Sequence, residues 1–341
     1  MKEKETLVII SNEKISSKDG KFYCDNIDLK SIPEELNKTF EILLIGRKTK
    51  AEKRSNLINL KKILVALNIF SYLLSIYKMF KNKSTKYLII SITPYSFIAC
   101  LLLLIFRKKF YVYMRSNGYE EYRCFSRFFG PFIYHIMFTI VTWKAILISC
   151  RKHILKGKDG HIVSPSQLNE KWFSSRTKAD LTKIKLLYVG RIRIEKGIFS
   201  LLDLLKNLKT NFFFSIISAD KKNNKKINQE NTEIINFEDD HESIIKFYDS
   251  NNIFILPSFT EGHPQVLDEA LSRLRPVIIF EEISHVIGKR EGVFVAKRNS
   301  SSLLETINYI IKNYYAIQEK MTKNLLPTKK EFINEMNQIL N

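Results

Sequence analysis

The sequence predicts an α/β protein made of two successive doubly wound units. Three observations carry that expectation. Apolar runs of strand length alternate with longer stretches that hold apolar residues at helical spacing, which implies parallel sheets covered on both faces. The alternation breaks at a polar stretch, QLNEKWFSSRTKADLTK, and then begins again, so the chain divides near residue 175. At 341 residues and 45% hydrophobic content, the chain is long and apolar enough for two cores.

In order, TLVIIS (6–11), FEILLI (40–45), KYLIIS (86–91), KFYVYM (109–114) and AILIS (145–149) read as strands of the first unit. Stretches 56–82, 94–107 and about 120–142 read as its helices. HIVSPS (161–166) leads into the linker, where Ser164 and Ser166 read as helix caps. The second unit holds strands at IKLLYVG (184–190), NFFFSIIS (211–218), TEIINF (232–237), NIFILP (252–257) and PVIIF (276–280). DKKNNKKINQEN (220–231) reads as a polar surface loop. The expected divisions are 1–172, 173–320 and a helical tail, 321–341, able to pack back across both units. Tandem doubly wound units direct the carboxyl ends of their strands toward a shared cleft, where ligands bind.

The chain has 55 Lys and Arg against 35 Asp and Glu, a net charge of +20. Residues 1–170 hold 29 of those cations and 14 of the acids, so the first half carries +15 and the second +5. Such a face attracts polyanions, either nucleic acid or an anionic membrane surface, unless it only reflects a lysine-rich composition. Cys24, Cys100, Cys124 and Cys150 fit no metal-site spacing and read as reduced, mostly buried thiols of an intracellular protein. The apolar run in MKEKETLVIIS is too short for a signal peptide and reads as the first strand. Residues 94–106 fall short of the ~20 apolar residues of a membrane span. Residues 130–150 are interrupted by His135 and Lys144 and read as a helix followed by a strand. Residues 56–86 read as a basic amphipathic helix that either docks on anionic lipid or covers the sheet with its lysines in water.

Two strand ends of the second unit carry chemistry. In LLYVGRIRIEKG the strand ends at Val189, Gly190 turns the chain, and Arg191 and Lys196 precede a helix opening near Gly197. A guanidinium fork, a point charge and a helix N-terminus together suit a phosphate group. In PSFTEGHPQVLDEAL, Glu261 lies in the loop after a strand, Pro264 suits a first helical turn, and Glu269 lies about one and a half turns inside. Backbone N–H groups at the helix start suit a diphosphate, while the two carboxylates accept from neutral hydroxyls. A sugar nucleotide has both features.

These segments, with the run ending in PVI, resemble the donor-binding half of the retaining, family 4 glycosyltransferases of GT-B fold, over about residues 184–280. The hallmark is a Glu-x7-Glu pair with an upstream Arg and Lys. The resemblance implies that Arg191 and Lys196 neutralise the donor diphosphate and act in catalysis with Glu261, which contacts the transferred sugar. Gly190 and Pro264 frame that donor site, Gly262 and His263 offer backbone N–H groups, and Glu269 holds the ribose hydroxyls. It implies metal-independent chemistry without a cofactor, because cations stabilise the departing charge; no Asp-x-Asp motif is present. The expected acceptor is a saccharide or lipid-linked saccharide, in bacterial surface-polysaccharide or lipopolysaccharide assembly. The setting is cytoplasmic, at the inner face of the plasma membrane.

The sequence departs from the family pattern at several points. His263 stands where the family often has Phe, either as a polar handle on the sugar or as an aromatic replacement. Leu274 stands where Gly is common, and EEISHVIGKREGVF lacks the usual glycine pair. The glycine-rich loop after the first strand is replaced by SNEKISSKDGKFYCD (11–25). In YVYMRSNGYEEYRCF, Arg115, Asn117 and Tyr119 form either an acceptor site or a hydrogen-bonded turn. The rival readings are a GT-B sugar-nucleotide epimerase and a basic nucleic-acid-binding protein. The latter lacks a recognisable binding module.

Overall fold

A computed structural model describes residues 4–49, 56–82, 84–208, 210–218, 227, 229–236 and 241–341. By contacts the chain forms two units, residues 1–164 with 330–341, and residues 165–329. The first holds β1 (Thr6–Lys18), β2 (Lys21–Cys24), α1 (Ile27–Leu36), β3 (Glu41–Lys48), β4 (Asn56–Ile58), β5 (Ile63–Ala66), α2 (Ile69–Lys78) and β6 (Lys86–Ile90). It continues with α3 (Pro94–Ile105), β7 (Phe110–Met114), α4 (Gly118–Phe125), α5 (Phe129–Thr142), β8 (Ile146–Ser149) and β9 (His161–Ile162). Its parallel strands run in the order β5-β3-β1-β6-β7-β8-β9. Helices α2, α3 and α5 cover one face, through Tyr72, Ile76, Ala99, Leu103, Met137 and Val141.

The second unit holds α6 (Glu170–Phe173), β10 (Ile184–Val189), α7 (Ile198–Lys206), β11 (Phe212–Ser218), β12 (Thr232–Asn236), α8 (His241–Ser250) and β13 (Ile253–Leu256). After these come α9 (Gln265–Ser272), β14 (Val277–Phe280), β15 (Val293–Ala296), α10 (Ser300–Lys312) and α11 (Tyr314–Met321). Its sheet is wholly parallel, in the order β12-β11-β10-β13-β14-β15. The strand order reverses between β10 and β13, and that switch point is where doubly wound sheets bind ligands.

Three expectations need correction. The single helix over 56–82 is instead β4, β5 and the shorter α2: ILVA pairs in register with β3, and a capping box at Asn68 and Ser71 starts the helix only there. The first strand, expected over 6–11, is longer: β1 continues to Lys18, turns at Asp19 and Gly20 (φ 51° and 71°), and pairs back as β2. Positive φ at both turn residues is the hairpin geometry that Asp-Gly favours. The helix over 120–142 is broken into α4 and α5. In the tail, Met321 packs in the second core, while Phe332, Met336 and Leu340 of α12 (Lys329–Leu340) pack beneath the first sheet with Leu7 and Leu44.

The unit boundary falls at 164/165 rather than 172/173, because Leu168 and Trp172 are buried in the second core. Two buried arginines fasten this segment. Arg273 donates to the carbonyls of Trp172, Ser174 and Ser175 and pairs with Asp249, and Arg275 donates to the carbonyl of Thr177. Such charges are tolerated inside only when their donors are satisfied. The expected loop 220–231 lies largely outside the described residues. Cys24, Cys100 and Cys150 are buried, and the Cys124 side chain lies outside the described residues. Among the described residues, no helix is long and apolar enough to cross a membrane.

Candidate active site

The two loops singled out in the sequence leave β10 and β13, which are neighbours in the sheet. Past β10, Gly190 and Arg191 lead into a single turn, Ile194–Lys196, and Gly197 adopts φ 66° before α7 begins. A Cβ on Gly197 would lie 1.9 Å from the Pro257 carbonyl oxygen, so the β13 loop crosses directly over this residue. Only glycine allows both that backbone angle and that approach. The loops are further joined by the Phe259 N–H donating to the Glu195 carbonyl at 3.0 Å. Arg298 supports the β13 loop, donating to the Pro257 carbonyl at 3.0 Å and lying over the ring of Phe259 at 4.2 Å.

This close crossing brings Lys196 to Glu261. Lys196 Nζ donates to Glu261 Oε1 at 2.6 Å, and the Ser258 hydroxyl donates to the same oxygen at 2.6 Å. The carboxylate side chain is 11% exposed and the lysine 23%, so the pair is partly shielded from water. His285 Nε2 lies 2.9 Å from the Glu261 carbonyl oxygen and fixes the backbone there. Arg191 projects exposed from the start of the first loop, and its carbonyl accepts from the Tyr188 hydroxyl at 2.8 Å.

Glu269 sits in the second turn of α9, half-buried, and accepts from the Tyr248 hydroxyl at 2.8 Å. Burial pushes its carboxyl up to about 7; the Tyr248 hydrogen bond opposes this and the adjacent Asp268 charge adds to it. Its neighbour Asp268 behaves oppositely. Burial raises that carboxyl, but His263 and the two-pronged Arg290 contact, at 2.6 and 3.0 Å, outweigh burial and hold it below its usual value. The His263 side chain is 6% exposed and 3.1 Å from Asp268, so it braces the start of α9 instead of standing free as a polar handle. Gly262 and Pro264 are buried beside it.

The first-unit candidates occupy the carboxyl end of β7. Arg115 is held by Asp28 at 3.3 Å and Glu13 at 3.5 Å. Asn117 is buried and donates to Glu120 at 2.6 Å, while the Tyr119 hydroxyl is 2.8 Å from His135 Nδ1. Arg115, Ser91, Glu121 and Tyr134 line a small pocket there, which neither Asn117 nor Tyr119 lines. Sequence reasoning missed Ser258, Tyr248, Arg298 and the Asp268–Arg290 pair. Ser258, three residues before Glu261, and Asp268, next to Glu269, were within reach; Tyr248, Arg290 and Arg298 come from positions outside both motifs that folding brings in.

The site therefore holds a cation beside a carboxylate at a sheet switch point, with a second carboxylate one helical turn deeper. Residues 170–325, which lie within the second unit, match the family described as glycosyl transferases group 1. A stretch of 123 residues, 36% of the chain, is 28% identical to TuaC of Bacillus subtilis (strain 168), a glycosyltransferase named for teichuronic acid biosynthesis; the stretch covers 31% of that protein. Among solved structures, sucrose-phosphate synthase from Thermosynechococcus elongatus is similar over 98% of both chains, with a TM-score of 0.71 and 15% identity. HepE from Anabaena, solved with UDP and glucose, is similar over 98% of both chains, with a TM-score of 0.65 and 11% identity. The fold is GT-B, two Rossmann-like domains.

Proposed function

We propose that the protein is a glycosyltransferase that moves a sugar from a nucleotide-sugar donor to a hydroxyl of a saccharide or lipid-linked saccharide, with retention of anomeric configuration. Bacterial surface-polysaccharide assembly at the cytoplasmic face of the membrane is its setting, a reading supported by the relative named for teichuronic acid biosynthesis. The observation that carries the proposal is the Lys196–Glu261 pair at the switch between β10 and β13. A diphosphate bound at Lys196 has its attached sugar one bond further on, within reach of Glu261.

As the bond from the anomeric carbon to the diphosphate breaks, its electron pair leaves on the phosphate oxygen. Lys196 and Arg191 stabilise that growing charge. The acceptor hydroxyl oxygen bonds to the anomeric carbon, and its proton passes to the departing diphosphate. Glu269 accepts hydrogen bonds from the ribose hydroxyls. The residues named for this chemistry are all protein side chains, with no cofactor or metal assigned.

A thermal-shift screen against nucleoside diphosphates and their sugars tests the reading. Stabilisation by at least one is expected, followed by acceptor-dependent release of the diphosphate. Stabilisation by none overturns the proposal. Rearrangement of the donor without any acceptor would instead assign an epimerase.

A further inference from the structure

The outer surface of the α2–α3–α5 layer is apolar where a water-facing helix layer is ordinarily polar. Phe70 on α2, Ile105 on α3, and Phe129 and Trp143 at the two ends of α5 are 79%, 73%, 74% and 75% exposed. The three helices lie side by side over one core, and the rings of Tyr77 and Phe106 meet at 5.3 Å between α2 and α3. Large apolar side chains exposed together on one helix layer mark an interaction site.

Charge identifies the occupant. Between Lys61 and Lys158 there are 17 Lys and Arg and two acids, Glu120 and Glu121, and none of α2, α3 and α5 carries an acid. Cations stand against the aromatic residues at both ends of α5: Arg127 lies 5.8 Å from the Phe128 ring and Lys144 5.2 Å from the Trp143 ring. Aromatic and aliphatic side chains within a cationic fringe match the headgroup boundary of an anionic bilayer. Two copies of this face would repel each other. We infer that the α2–α3–α5 face docks the first unit on anionic phospholipid, with Phe129, Phe132 and Trp143 entering the headgroup region. The docking surface thus lies on the outer helix layer, in place of one long helix over 56–86.

Trp143 supplies the readout, because the other tryptophan, Trp172, is 1% exposed in the second core. The full chain is mixed with phosphatidylglycerol/phosphatidylcholine vesicles or with phosphatidylcholine alone, without any donor present. Flotation with the anionic vesicles and a blue shift of Trp143 emission are expected, both weakening with salt. The pair Phe129→Ser with Phe132→Ser, and separately Arg127→Glu with Lys144→Glu, should each lower partitioning by about tenfold or more. All four side chains are exposed, and unchanged thermal unfolding checks that both variants remain folded. No flotation, unchanged partitioning in both variants, or a concentration-dependent dimer that hides Trp143 overturns the inference. Nucleoside diphosphate binding is measured apart from this, so failure on vesicles leaves the proposed chemistry standing.

Discussion

Lys196 Nζ lies 2.6 Å from Glu261 Oε1 although 65 residues separate them in the chain. The contact exists because two adjacent strands end level and their loops cross at Gly197. It links the cation assigned to the diphosphate with the acid assigned to the sugar. Lys196→Ala should weaken nucleoside diphosphate binding by about tenfold to a hundredfold, the range of one charge-assisted hydrogen bond. Glu261→Gln keeps the shape and removes the charge, so kcat should fall far more than diphosphate affinity. Calorimetry and turnover on the same preparations check both; undiminished kcat in Glu261→Gln removes that residue from its role.

Gly197 is where fold and chemistry meet. Gly197→Ala sets a Cβ 1.9 Å from a backbone oxygen at φ 66°, and neither loop can yield without separating Lys196 from Glu261. A loss of about 2–4 kcal/mol in stability is expected, together with loss of diphosphate binding. Gly20→Ala is the control. It has a similar φ of 71° but nothing within 4 Å, so it should cost about 1 kcal/mol and leave binding intact. Equal effects of the two substitutions would show that the crossing is unimportant.

The second unit was the more legible in sequence because its strands are buried apolar runs and its two motifs stand at strand ends. Glu261, Glu269, Arg191 and Lys196 all lie at the switch-point loops or the helix leaving them. In the first unit, IFSYLLSIYK dominates the helical signal over 56–82 and hides ILVA, a four-residue strand held by its β3 neighbours more than by its own pattern. The Asp19-Gly20 hairpin was readable, since that dipeptide between strand-like runs is a turn signal. Tyr248 and Arg298 were not, because their role arises from contacts at Glu269 and Pro257 that no local spacing encodes.

Leu274 illustrates a departure the sequence showed and the structure explains. It follows α9 at φ 55°, the left-handed position that closes a helix and favours glycine. Its side chain is half-buried against the second core. Leu274→Gly therefore relieves backbone strain of about 1–2 kcal/mol while giving up part of a leucine's burial. The net change should stay within about 1 kcal/mol, whereas Leu271→Gly, fully buried inside α9, should cost more than about 3. Denaturant titration of both variants decides it; comparable losses would mean that Leu274 carries no strain.

Glu269 gives the site a pH dependence with a definite sign. Burial pushes its carboxyl up to about 7 in the folded protein, above the ordinary glutamate value of about 4.5. Between those values the folded chain holds a proton that the unfolded chain has released. Stability from this group is thus greatest below about 4.5 and declines as pH rises to about 7, by up to about 3 kcal/mol. Glu269→Gln should flatten that decline. Binding runs the other way, because only the ionised carboxylate accepts from two ribose hydroxyls. Nucleoside diphosphate affinity should rise as pH passes about 7 in the native protein and stay low and flatter in Glu269→Gln. Inorganic pyrophosphate, which has no ribose, controls for titration of the phosphate itself and should bind both proteins alike. A pyrophosphate profile as steep as the nucleotide's would mean that Glu269 does not read the ribose.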